Sequence, residues 1–116
     1  MRCGNTLLGW VLLASLGGGA QAAPDFARDV RPILQRSCFG CHGPETQKSG
    51  YRLDVRETAL RGGERGTPAI VPHAADRSPL IRHVRGDDDL RMPPQTRDAT
   101  PLTPGEIDIL RAWIDA

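Results

Sequence analysis

Two cysteines three positions apart, with a histidine directly after, are the residues of this chain best placed to do chemistry: Cys38, Cys41 and His42, in the stretch SCFGCHGPE. C-x-x-C-H is the attachment pattern of c-type haem. Two thiols one short turn apart can add to the two vinyl groups on one side of a porphyrin. The next residue then lies beneath the ring, where an imidazole nitrogen can meet the iron. On this reading Cys38 and Cys41 anchor a single haem covalently and His42 is its proximal iron ligand. Three other chemistries use the same residue types. A thioredoxin-like redox pair needs alternating strands and helices, and the chain shows no strand signal. A structural zinc site needs a second donor pair, such as another C-x-x-C or H-x₃-H, and none is present. A disulfide between such close neighbours closes a tiny loop and removes little chain entropy.

The sixth iron ligand decides what a haem does. Methionine is the soft thioether ligand that raises the potential and closes the iron for electron transfer. Apart from Met1, Met92 is the one methionine of the chain. It is followed by Pro93 and Pro94, which restrict the backbone as a weak ligand requires. Met92 is therefore the expected distal ligand. His73 and His83 are the rivals for a bis-histidine iron, and a vacant sixth site would give a binding or sensory haem module. The chain has 14 arginines against one lysine. Source composition accounts for that bias, but guanidinium forks also suit carboxylates, which makes Arg52 and Arg91 candidates for the haem propionates. Asp87, Asp88 and Asp89 read as a solvated loop rather than a docking patch.

The N-terminus says where such a site would be assembled. A basic start with Arg2, an apolar run from Leu7 to Leu16, and small residues leading to Ala20-Gln21-Ala22 read as a cleaved secretory signal over residues 1–23. The run is too short to cross a bilayer as a helix. An uncleaved anchor is the second reading, and Cys3 lies on the wrong side of the run for a lipoprotein. The expected location is periplasmic or otherwise exported, where c-type haem is attached. Residues 24–116 form one domain. Loss of Arg2 leaves 14 basic against 14 acidic residues, a balance that argues against nucleic acid and against strong binding to an anionic membrane. A domain this small is marginal without a disulfide, metal or cofactor.

The elements around the motif read as short helices joined by long loops. Residues 24–37 predict a first helix, capped by Asp25, with Phe26, Val30, Ile33 and Leu34 on one face. Pro32 suggests that the ordered helix starts near Val30. Residues 43–53 are loop. Asp54 and Glu57 have capping-box spacing for a short helix that Gly62-Gly63 would stop. A third helix is predicted from Asp76 or Ser78, with Pro79 in its first turn, ending at Gly86. A polar loop then carries Met92. In LTPGEIDILRAWIDA, Thr103, Pro104 and Glu106 start a last helix with Ile107, Leu110, Trp113 and Ile114 as its apolar stripe.

Taken in order, DFARDVRPILQRSCFGCHGPE, SGYRLDVRETALRGG, PAIVPHAADRSPLIRHV, RMPP and LTPGEIDILRAWID resemble the planctomycete-type cytochrome c domain, over about residues 25–115. The resemblance implies a small all-α, class I-like monohaem cytochrome fold of three to four short helices around one haem c. In it the first and last helices cross, with Phe26 and Trp113 as partners. It also implies covalent attachment at Cys38 and Cys41, His42 as proximal ligand and Met92 as distal ligand. The expected role is electron transfer rather than catalysis, toward a redox partner protein or a fused downstream domain. Family members usually open much longer proteins, so a free-standing carrier and the electron-entry domain of something larger are both consistent with the resemblance. Tyr51 departs from the pattern, standing where an aliphatic residue would be ordinary.

Overall fold

The computed structural model describes residues 18–116. Most of the expected leader therefore lies outside the described residues, and Ala20-Gln21-Ala22 is exposed and outside any helix. Phe26–Val30 forms a wide, π-type turn that runs directly into α1 (Arg31–Ser37). The Asp25 carboxylate caps this stretch by accepting the Arg28 N–H at 2.8 Å. Pro32 falls in the first turn of α1, where a missing N–H leaves nothing unpaired. The proline thus marks the seam between the wide turn and the α-helix, as the sequence predicts.

Four more helices follow: α2 (Phe39–His42), α3 (Arg56–Arg61), α4 (Pro79–Arg85) and α5 (Pro104–Asp115). Short 3₁₀ turns occupy Lys48–Gly50 and Ala75–Arg77. Among the described residues there is no strand, only an isolated antiparallel bridge between His42 and Gln47. No helix among them is long and apolar enough to cross a membrane.

Two helix starts behave differently from each other. At α5 the Thr103 hydroxyl accepts the Glu106 N–H at 3.3 Å while the Glu106 carboxylate accepts the Thr103 N–H at 2.8 Å, a complete capping box. At α3 the spacing of Asp54 and Glu57 does not produce one. Val55 holds the N-cap position with no side-chain cap, because the Arg52 guanidinium claims the Asp54 carboxylate, with Nε to Oδ1 at 3.0 Å. At the N-cap of α4 the Ser78 side chain also serves the loop before it rather than the helix. Its buried hydroxyl accepts the Val71 N–H at 2.9 Å and donates to the Ala74 carbonyl at 3.0 Å.

The core is one cluster: Val30, Ile33 and Leu34 from the first helical stretch, Leu53, Ala59, Ile70 and Ala75 from the middle, Leu80, Ile81 and Val84 from α4, and Leu110 and Ile114 from α5. α5 packs against Phe26–Val30, α4 and the Ala75–Arg77 turn. The Phe26 and Trp113 rings meet at 5.6 Å, tilted by 39°, as the resemblance implies. Arg36 and Glu106 add a two-pronged ion pair at 2.7 and 2.8 Å, joining the end of α1 to the start of α5.

Glu106 thus serves both the cap and the ion pair, and together these hold its carboxyl down at about 2, below the usual 4.5, with Arg36 the larger cause. Because the folded value lies below the unfolded one, the stabilisation is complete above about pH 4.5 and is lost as pH falls toward 2. Replacing Glu106 by Ala should lower unfolding stability by about 1–2 kcal/mol at pH 7. In denaturant titrations the gap to wild type should close over that acid range; a gap unchanged at pH 2.5 would contradict the assignment.

Candidate functional site

α1 ends at Ser37 and the chain kinks at Cys38, whose N–H still donates to the Leu34 carbonyl at 2.8 Å. The single turn of α2 begins at once. Both the Cys41 and His42 N–H groups donate to the Cys38 carbonyl, at 3.1 and 2.8 Å. The two thiols and the imidazole therefore lie on one turn, half-buried, with both cysteines free. The chain then reverses tightly, Gly43 donating to the Thr46 carbonyl at 2.9 Å. Gly43 is required by closeness, since a Cβ there would sit 2.5 Å from the Phe39 carbonyl oxygen.

The returning segment grips His42 twice. Leu53 N–H donates to the His42 carbonyl at 2.9 Å, and the His42 ring Nδ1 donates to the Tyr51 carbonyl at 3.3 Å. A proton fixed on Nδ1 leaves Nε2 as the lone pair for a metal, the usual outer support of a ligating histidine. Burial lowers the His42 pKa, against an opposing contribution from the Tyr51 hydrogen bond, and favours the neutral, ligating form. The Tyr51 ring stands 5.3 Å from the His42 ring, tilted by 58°. Its hydroxyl donates to the Ala59 carbonyl at 3.1 Å, and burial pushes its pKa up. Tyr51, the departure noted in the sequence, thus ties the histidine's support to α3.

The other predicted residues lie elsewhere. Met92 is half-buried, and its N–H donates to the His83 carbonyl at 2.9 Å. It lines a recess of about 230 Å³ with Val84, Arg91, Pro93 and Leu102. A larger cavity of about 560 Å³ lies beside the Phe26–Trp113 pair and is lined by Leu53, Leu60 and His73 among others. Neither cavity is lined by Cys38, Cys41 or His42. The structure therefore brings the first three site residues together and places Met92 on a separate support. His73 is exposed in a left-handed conformation (φ 62°) and closes the end of α5, its N–H donating to the Ile114 carbonyl at 2.8 Å. His83 has its Nδ1 against the Asp88 carboxylate at 3.0 Å. Arg52 is paired with Asp54, and Arg91 is exposed and makes no ion pair among the described residues.

The donor set fits haem attachment better than zinc. Among the described residues no group of three or more His, Cys, Asp or Glu is arranged to hold a metal ion. Two free thiols on one turn, next to an imidazole, are what thioether formation and axial ligation require. A family model described as Planctomycete cytochrome C matches residues 38–96, just over half of the chain. The chain belongs to the planctomycete cytochrome c family. No curated protein and no solved structure matches it.

Cytochrome c membership implies a covalently bound haem and electron transfer rather than catalysis. The match begins at Cys38 and takes in His42, Tyr51 and Met92. In this cytochrome the carbonyl of Tyr51 is the support that sequence reasoning did not identify. A backbone acceptor carries no residue-type signal, and the one hint was an aromatic residue where an aliphatic one was expected.

Burial also pushes the Cys38 thiol up to about 11, against the opposing pull of Arg36. The thiolate is the nucleophile. In haem-free protein carrying Cys41→Ser, alkylation of Cys38 by iodoacetamide at pH 8 should therefore be about a hundredfold slower than that of an ordinary cysteine. Urea should remove the difference, and equal rates in folded and unfolded protein would contradict it.

Proposed function

We propose that this cytochrome carries single electrons in the periplasm or a comparable exported compartment, through one haem ligated by His42 and Met92. The observation that carries the reading is the double grip on His42, with the Leu53 N–H on its carbonyl and its Nδ1 on the Tyr51 carbonyl at 3.3 Å; a proton held on Nδ1 would leave the Nε2 lone pair for a metal. Haem c, when bound, supplies the Fe(II)/Fe(III) couple. Cys38 and Cys41 hold the cofactor, so it is not lost outside the cell. His42, kept neutral by burial, presents its lone pair without first shedding a proton. Met92 supports the distal role by its softness and by the prolines that stiffen its loop. Arg91, with a guanidinium unpaired among the described residues, is the better placed of the two propionate candidates, since Arg52 would have to give up Asp54. The apolar run and the Ala20-Gln21-Ala22 pattern support export. The electron partner is a second redox protein or a domain fused downstream.

A second reading draws on the separation of Met92's recess from the cysteine turn. In it the sixth site is open or histidine-ligated, and the haem binds or senses rather than carries electrons.

Expression in a haem-attaching host should give one covalent haem per chain by pyridine haemochrome, and Cys38→Ala with Cys41→Ala should give none. Ferric wild type should show the methionine-to-iron charge-transfer band. Met92→Ala should abolish it and lower the reduction potential. If Met92→Ala keeps the wild-type spectrum, the distal assignment fails and the second reading takes its place.

A further inference from the structure

The two prolines after Met92 stiffen the loop but cannot fasten it. Neither has an N–H to donate, and the one backbone bond of Pro94 is local, its carbonyl accepting the Thr96 N–H at 2.8 Å. Of the backbone N–H groups of residues 88–95, that of Met92 alone donates to a backbone carbonyl among the described residues, that of His83 at 2.9 Å. The partner in that bond is engaged a second time. The His83 ring Nδ1 meets both oxygens of the Asp88 carboxylate, at 3.1 and 3.0 Å. Asp88 Oδ1 in turn accepts the Leu90 N–H at 3.1 Å. The chain can fold back in this way because Gly86 ends α4 in the left-handed region, with φ 75° and ψ 33°.

We propose that His83 and Asp88 are positioning residues that brace the Met92 segment against the last turn of α4, a role that rests on the reading of Met92 as distal ligand. A methionine side chain has three rotatable bonds and its sulfur is a weak donor. It stays on an iron only where its backbone is held in place beforehand. The ring of His83 holds Asp88, Asp88 holds the Leu90 amide, and the carbonyl of His83 holds Met92. These connections pin the loop before, at and just upstream of the sulfur-bearing residue. The His83–Asp88 contact is partly exposed, with side-chain exposures of 25% for His83 and 35% for Asp88, so it adds little to global stability. Its effect is local, on where Met92 sits. On this account His83 serves the iron indirectly and is not its ligand.

The test uses haem-loaded full-length protein and compares Asp88→Ala, Asp88→Asn, His83→Ala and His83→Asn with wild type. Two measurements are made: hydrogen exchange at the Met92 and Leu90 amides, and the ferric methionine-to-iron band. Asp88→Ala should speed exchange at both amides by about tenfold and weaken the band, with the unfolding midpoint nearly unchanged. Asp88→Asn, which keeps an acceptor for Leu90, should lie between. His83→Ala should match Asp88→Ala, and His83→Asn, which keeps an N–H near the position of Nδ1, should recover part of the loss. Unchanged exchange and an unchanged band in Asp88→Ala would overturn the brace. Loss of the low-spin spectrum in His83→Asn but not in Asp88→Ala would make His83 a ligand and overturn it as well. If wild type itself lacks the band, the ligand assignment of Met92 is what fails, and the amide exchange alone then decides whether the brace exists.

Discussion

Where the Phe26–Ser37 stretch meets α5, buried Val30 and Leu34 share one apolar cluster with Leu110 and Ile114. An aromatic contact between Phe26 and Trp113 and an ion pair between Arg36 and Glu106 flank it. The magnitudes say which part holds the fold. Truncating a buried leucine costs about 3–5 kcal/mol with its cavity, whereas a partly exposed ion pair contributes about 1 kcal/mol or less. The apolar crossing therefore supplies the energy. The directional contacts fix how far along each other the two helices sit, which matters because α1 ends directly at the cysteine turn.

From that crossing the site is assembled in two steps of unequal rigidity. Cys38 receives its position from α1 through the bond of its N–H to Leu34, a core residue. His42 receives its position from the same turn and from Leu53, also in the core, whose N–H holds the His42 carbonyl. These supports of the cysteine–histidine turn lead within one or two bonds to a buried side chain. Met92 has no such route. Its one backbone bond goes to the half-buried His83, and the residues around it, from Arg85 to Arg91, are exposed. The half of the site proposed to bond the cofactor covalently is tied to the core, and the proposed weak ligand rides on a loop fastened at few points.

What could be read from the sequence follows the range of each interaction. The capping box at Thr103 and Glu106, the cap at Asp25 and the seam at Pro32 are decided within four residues, and the sequence shows them. The C-x-x-C-H turn is equally local. Asp54 had the same spacing as a true cap, yet Arg52 took its carboxylate. A local pattern can lose to a stronger local partner, and a charged fork binds a carboxylate better than a backbone N–H does. The Arg36–Glu106 tie spans 70 residues of sequence, so nothing in either neighbourhood announces it. The support of His42 comes from a carbonyl, which every residue possesses. Tyr51 could be seen as unusual, but its ring beside the imidazole and its hydroxyl on α3 follow only once the loop has folded back.

This division also bears on why the chain attaches its cofactor covalently. Its buried core is almost entirely aliphatic, and the larger groups Phe39, Tyr51 and Trp113 lie only partly buried at its edge, with Cys38 and Leu102. Such a rim is only partly shielded from water, and a small domain has little stability to spare. A group that binds the folded state alone stabilises it by mass action, but only while it remains present. The proposed thioethers to Cys38 and Cys41 would remove that condition, since a tethered haem cannot be diluted away. The same tether relaxes the demand on the distal side. With the cofactor held as proposed, by two covalent bonds and the gripped His42, Met92 would not need to retain the haem at all, and its loop would be free to be shaped by the potential and the access that electron transfer requires.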